Sequence, residues 1–124
     1  MLAFDRQQFD RIGRARFAER VVEQLRQHFP ERIVAADVPA MALEVEKMID
    51  RAKQYGLTAQ GDVYRFVLAA WVLGASFDEK VPTLRAVLSD SGRSPAVRAR
   101  LVARAAIDAL AALESGASGS GAKP

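Results

Sequence analysis

A helix-ending signal followed directly by a long apolar segment limits the folds open to this chain. Tyr55-Gly56-Leu57-Thr58 places a glycine, which can adopt the left-handed conformation that closes a helix, before a threonine that can cap the next one. Nearly all residues from Val63 to Ala75 are apolar, and a helix that is apolar on nearly every face must be covered all round. The sequence therefore predicts a hydrophobic central helix at about residues 59–73.

Apolar periodicity and helix-end signals predict four further helices. The first runs from about Gln7 to His28, ends before Pro30 and has its apolar residues at helical spacing, namely Phe9, Phe17, Val21, Leu25 and Phe29. The second begins at an Asp37 cap and ends at Gly56, with an apolar face of Met41, Val45, Met48, Ile49 and Ala52.

The other two predicted helices follow the central one. Helix four spans roughly Lys80 to Ser89, with Asp78 as its cap. Helix five begins after Ser94, a capping residue that precedes a proline. We expect it to bury Val97, Leu101, Ala105, Leu110 and Leu113 and to expose Arg93, Arg98, Arg100 and Arg104.

These elements predict an all-α fold, a single compact bundle of about five helices formed by residues 1–114. No segment alternates apolar and polar residues as a strand would. Residues 115–124 are mainly Gly, Ser and Ala, a composition that buries too little surface to order itself, so we expect a flexible tail there.

Composition excludes several classes of function. The 124 residues are 50% hydrophobic and 27% charged, as in a globular domain. Cysteine is absent, which excludes disulfides, thiolate zinc sites and thiol nucleophiles and fits a reducing compartment. The opening Met1–Arg6 has no cationic lead into an apolar core, and no apolar stretch approaches the roughly 20 residues that span a bilayer. We therefore expect a cytoplasmic protein without membrane contact.

No pattern in the sequence predicts catalysis, a cofactor or a metal. The one histidine, His28, ends the first helix, where capping fits better than catalysis because no hydrogen-bonding neighbour is indicated. One histidine without cysteine leaves only carboxylates as metal ligands, and Glu44 and Glu46 point to different helix faces. No glycine-rich loop or nucleophile elbow is present. We predict that the protein is not an enzyme.

Nucleic-acid binding is a weaker alternative. The net charge of +3 is a small excess and the charges are mixed, which gives no strong electrostatic footprint. The segment Arg51–Thr58 is similar to the start of a helix-turn-helix, but the would-be recognition helix is the most hydrophobic one in the chain. Its polar candidates for reading a groove are Gln60, Asp62, Tyr64 and Arg65.

Several segments together resemble small uncharacterised proteins encoded in bacterial type VI secretion effector clusters. They are Arg51–Thr58, Asp62–Val67 and Leu73–Asp78, with Arg14–Phe17 and Phe29-Pro30 similar to the family's opening. The resemblance covers most of the chain and rests on helix ends and core residues. Such genes typically lie beside those for effectors, PAAR spike-tip proteins and adaptor chaperones, so it implies an accessory chaperone or adaptor for effector loading.

An adaptor needs no active site, only a rigid body with enough exposed apolar surface to hold another protein. We expect Trp71, Phe77 and the neighbouring link with Asp78 to present that surface, and Arg65 to lie at its rim. The alternative for Trp71 is burial in the core with the rest of the central helix. An immunity protein that neutralises a cognate toxin is the second functional hypothesis, and the sequence leaves the oligomeric state open.

Overall fold

The chain is helical throughout the part that the structure describes. This structure, a computed structural model, describes the backbone of residues 6–122 and the side chains of residues 13–34 and 36–113. The helices are α1 (Arg6–His28), a 3₁₀-helix (Ala35–Asp37), α2 (Val38–Gln54), α3 (Gln60–Leu73), α4 (Phe77–Lys80), α5 (Pro82–Leu88) and α6 (Pro95–Ala122). The predicted all-α class is confirmed. None of these helices, over the residues described, is long and apolar enough to cross a membrane.

The chain forms two contact units, Met1–Asp50 and Arg51–Pro124. The single domain predicted for residues 1–114 stays a prediction. In the first unit, Arg14 of α1 pairs with Glu46 and Asp50 of α2 at 3.2 and 2.8 Å. Its buried apolar residues are Ala18, Val21, Val22, Leu25, Ile33, Ala42, Val45 and Ile49. They include the predicted Val21, Leu25, Val45 and Ile49, whereas the side chain of Phe9 lies outside the described residues.

The end of α2 confirms the predicted glycine closure. Gly56 has a φ of +82°, in the left-handed region that side chains disfavour. The amide of Leu57 donates to the carbonyl of Ala52 at 3.1 Å and that of Gly56 donates to Lys53 at 2.9 Å. These are the two bonds of a Schellman motif, and the apolar residue that follows the glycine, Leu57, is fully buried.

The predicted cap of α3 is wrong by one position. Ala59, with an extended backbone, is the N-cap of α3, and no side chain caps the first turn. Thr58 is exposed and lies one residue before the N-cap, too early in the chain for its hydroxyl to accept from the free amides. The helix therefore begins at Gln60.

In the second unit α3 packs against α6 and α4, and α5 packs against both α4 and α6. The buried apolar residues of α6 are small, namely Ala99, Val102, Ala103 and Ala106. From α3 the buried apolar residues are Val63, Phe66, Val67, Ala69 and Ala70. Phe66 is the aromatic centre, with its ring centroid 5.1 Å from that of Phe77 and 6.0 Å from that of Tyr55.

The helix predicted from Lys80 to Ser89 corresponds to α5, and the link predicted before it contains the short α4. Val81, between α4 and α5, is extended because it precedes Pro82, whose ring disfavours a helical conformation for the residue before it. Pro82 is then tolerated in the first turn of α5. Asp78 is not a cap, since the N-cap of α4 is Ser76 and Asp78 lies buried within the helix.

The start of α6 is as predicted, but its buried stripe is rotated. The hydroxyl of Ser94 accepts from the amide of Val97 at 3.3 Å. Val97 and Leu101, predicted to be buried, are exposed, whereas Arg98, predicted to be exposed, is only 9% exposed. Leu113 is exposed as well, and Ala105 and Leu110 are half-buried. Ala99, Val102, Ala103 and Ala106 are the buried apolar residues of α6 instead.

The C-terminal end of α6 also differs from the expectation. We predicted an irregular tail from residue 115, but α6 continues through Ala122. The flexibility of residues 115–124 stays a prediction.

Candidate functional site

Two groups of side chains in the second unit are candidates for a functional site. The first is a polar group that we call the Asp78 cluster, comprising Arg51, Tyr55, Asp78 and Glu79. The second is a partly exposed side of α3 that we call the Trp71 face, comprising Tyr64, Arg65, Leu68, Trp71 and Val72.

The Asp78 cluster links the last turn of α2 to α4. Oδ2 of Asp78, a fully buried residue, accepts from Nε of Arg51 at 2.5 Å and from the hydroxyl of Tyr55 at 2.7 Å. Nη2 of Arg51 also donates to Oε1 of Glu79 at 2.5 Å. Oδ1 of Asp78 is buried and has no hydrogen-bond partner among the described residues.

The electrostatics of this cluster keep Arg51 and Tyr55 protonated at neutral pH. Hydrogen bonds to Asp78 and then to Glu79 raise the pKa of Arg51, so its guanidinium stays charged. Burial, followed by the bond to Asp78, raises the pKa of Tyr55, so its hydroxyl stays a donor. Proton transfer requires a group that gains and loses its proton near neutral pH, whereas Arg51 and Tyr55 keep theirs. This arrangement therefore fits a structural role, in which the cluster holds α4 against the end of α2.

A second polar anchor, which the sequence analysis missed, is centred on Arg98. Its Nη1 donates to the carbonyls of Tyr55 and Leu88 at 2.7 and 2.6 Å, and its Nε donates to Arg93 at 3.2 Å. Tyr55 follows the end of α2, and Leu88 is the last residue of α5. Carbonyls at helix C-termini carry partial negative charge, which a buried guanidinium complements. Arg98 has this role because the ends of α2 and α5 lie close together in the fold. No local sequence pattern predicts that contact.

The Trp71 face lies on the side of α3 opposite to its buried residues. At 100° per residue, Leu68 falls in the middle of the face, Tyr64 and Trp71 along one edge, and Arg65 and Val72 along the other. All five residues are half-buried. Burial raises the pKa of Tyr64. The side chain of Arg65 is 40% exposed and reaches Oδ1 of Asp62 at 3.5 Å, the limit of a hydrogen bond.

The structure separates the four residues predicted to bind a partner. Trp71 and Arg65 lie on opposite edges of the Trp71 face. Phe77 and Asp78 are 1% and 0% exposed, so the expectation that they lie on a surface is wrong. Phe77 fills space beside Phe66, and Asp78 balances the charge of Arg51. That Trp71 and Arg65 bind a partner stays a prediction.

The remaining candidates do not gather into a site. His28 lies exposed in the last turn of α1. Among the described side chains, no three or more from His, Asp and Glu are close enough to hold a metal ion. For the helix-turn-helix alternative, Asp62 is buried and bonded to Arg65, which leaves Gln60, Tyr64 and Arg65 as candidate groove contacts on α3.

Comparisons with models of protein families, with curated proteins and with solved structures found no match to this chain.

Proposed function

We propose that this chain is a non-enzymatic protein-binding module and that its partner contacts the Trp71 face. The observation that carries this proposal is the makeup of that face. It combines a tryptophan, a tyrosine and an arginine, the residue types that most often dominate binding energy at protein interfaces. Each retains partial exposure on a helix whose other side is buried against α6 and α4.

The polar anchors of the same unit support the same proposal. Arg98 and the Asp78 cluster bind the ends of α2 and α5 and the short α4 by side-chain hydrogen bonds. Fixed helix ends reduce the conformational freedom of the unit, and a pre-organised surface loses less entropy when it binds. Rigidity of this kind is useful to a binding module even without an active site.

In its specific form, the proposal is an accessory chaperone or adaptor for a type VI secretion effector. Support for this form comes from the family resemblance of Arg51–Thr58, Asp62–Val67 and Leu73–Asp78. The same segments supply the glycine closure of α2 and the first half of α3, which includes Tyr64 and Arg65 of the Trp71 face.

The test uses the secretion effector that this proposal predicts to be encoded beside the gene of this protein. Deleting the gene should reduce secretion of the effector and leave its toxicity inside the producing cell unchanged. Complementation with Trp71→Ala should fail to restore secretion, whereas Leu43→Ala, a matched truncation of an apolar residue that is 63% exposed in the first unit, should restore it. Circular dichroism must show that both variants fold.

Other outcomes would change the functional assignment. Growth rescue on co-expression with the effector, without any effect on secretion, would identify an immunity protein. Full secretion with Trp71→Ala would show that the Trp71 face is not the binding surface.

A further inference from the structure

We infer that the occupant of the Trp71 face is an amphipathic helix of the partner with an apolar stripe and an acidic residue beside it. This inference rests on the proposed function and specifies the partner's chemistry. Three observations lead to it, namely the shape of the face, its charge and the kind of secondary structure around it.

The shape of the face fits a helix. Tyr64, Leu68 and Val72 follow one another at spacings of four residues, so they form a ridge about 12 Å long on the surface of α3, and Trp71 lies beside it. Ridges of this kind pack into the grooves between the side chains of another helix. Gly61, one turn before Tyr64, is exposed, and a Cβ at this position would lie 3.5 Å from Nη1 of Arg65, so the guanidinium extends over this end of the face.

The charge of the face is positive and lies on one edge. Arg65 is its only charged member, and its bond to Asp62 is at the limit of hydrogen-bond length. A carboxylate from a partner can therefore reach a guanidinium that keeps free donors, since arginine has five N–H groups. A lysine at the same place would meet a like charge.

The surrounding secondary structure argues against an extended peptide. Peptides that bind as strands pair with an exposed sheet edge, and the described part of this chain, residues 6–122, contains no strand. A helical protein instead binds the partner's helix, which places its apolar side chains at i, i+4 and i+7 against an apolar face.

Trp71 makes the test direct because it is the only tryptophan in the chain and lies on the face itself. The probes are three alanine-based helical peptides of about 20 residues, long enough to be helical in water. One carries leucines at helical spacing and a flanking glutamate, the second has lysine in place of that glutamate, and the third has the residues of the first shuffled so that no stripe forms.

Titration of the full chain with the glutamate peptide should give a saturable change in Trp71 fluorescence. The lysine peptide should bind about 2- to 5-fold more weakly, as expected for one partly exposed ion pair, and the shuffled peptide should give no saturable change. Arg65→Glu should reverse the preference between the two charged peptides. Lys53→Glu, which reverses an exposed charge at the end of α2, should leave it unchanged.

Three results would overturn the inference. They are equal binding of the shuffled peptide, an unchanged preference in Arg65→Glu, and a fluorescence change that depends on protein concentration without any peptide, which would assign the face to a second copy of the chain. If any of these results is obtained while secretion still requires Trp71, the proposed function stands and only the inference of a helical partner segment is wrong. If peptides bind as expected but secretion does not require Trp71, the proposed function fails instead.

Discussion

Asp78 and Arg98 are both buried charges in the second unit, but different groups neutralise them. Asp78 is paired with the side chains of Arg51 and Tyr55. Arg98 donates only to backbone carbonyls in its described bonds, at the ends of α2 and α5 and at Arg93. A buried charge can therefore be satisfied either by an opposite charge or by the partial charges of helix ends.

Tyr55 connects the two anchors. Its hydroxyl donates to Asp78, and its backbone carbonyl accepts from Arg98. A side-chain substitution at Tyr55 removes the first bond and leaves the second, because every residue retains its carbonyl. Substitutions at Tyr55, Asp78 and Arg98 therefore test whether the two anchors stabilise the fold independently.

Arg98→Met should have the largest effect. We expect it to lower the free energy of unfolding by about 3 kcal/mol, because the buried carbonyls of Tyr55 and Leu88 lose a charged donor. Urea denaturation at neutral pH measures this loss. Arg100→Met, an exposed position on the same helix, should change stability by less than about 0.5 kcal/mol. Equal effects of the two substitutions would refute the anchoring role of Arg98.

Asp78→Asn should lower the free energy of unfolding by about 2 kcal/mol, because the shape is kept but the charged acceptor for Arg51 is lost. In a double-mutant cycle, Arg51→Met should cost less when Asp78→Asn is already present. Glu79→Gln, at a carboxylate whose side chain is 63% exposed, is the control and should be nearly neutral. Additive effects of the Arg51 and Asp78 changes would show that their ion pair does not stabilise the fold.

Tyr55→Phe should cost about 1 kcal/mol, the typical net contribution of one hydrogen bond. Its effect should be additive with that of Arg98→Met, because the carbonyl bond survives, and less than additive with that of Asp78→Asn. Chemical denaturation of the single and double variants distinguishes these cases. Strong coupling between Tyr55→Phe and Arg98→Met would mean that the anchors act as one unit.

The pH dependence of stability should be the smallest effect. The pKa of Tyr55 is raised above its ordinary value of 10.0, so the folded state keeps this proton to higher pH than the unfolded state does. Stability from Tyr55 is therefore fully present below about pH 10 and decreases as the pH rises through the folded pKa. Denaturation on both sides of pH 10 should show a shallower decrease for Tyr55→Phe than for the wild type.

Tyr64→Phe is the comparison variant, because burial also raises the pKa of Tyr64. It should remove a separate part of the alkaline decrease. If neither substitution changes the decrease, other groups cause it.

The parts of the fold that the sequence predicts are those with a local signal. Gly56 ends α2 because only glycine adopts its backbone conformation without strain, and Ser94-Pro95 starts α6 through a cap and a proline that fit one position each. In both cases, residues within a few positions of the helix end determine where the helix ends or begins. Such signals require no knowledge of what packs against the helix.

The rest depends on tertiary packing. Hydrophobicity alone favours burying Val97 and Leu101, but the structure buries the alanines of α6, and Arg98 is buried because it binds the carbonyls of Tyr55 and Leu88. Phe77 and Asp78 were also predicted to be exposed, because they follow a short link between helices. They are buried because Phe77 packs against Phe66 and Asp78 pairs with Arg51, contacts that no local pattern predicts. On the Trp71 face, the sequence indicated Trp71 and Arg65, but not which α3 residues accompany them.

The alanine contact between α6 and α3 has a consequence for how this sequence can vary. Ala99 and Ala106 are wholly buried, so a larger side chain at either position would push the two helices apart, at a cost of about 1–3 kcal/mol. Leu101 and Ile107 point outward and should accept polar replacements with little penalty. A selection for folded variants from a randomised α6 would thus keep Ala99 and Ala106 and replace Leu101 and Ile107 freely, the reverse of the order that a hydrophobicity scale gives.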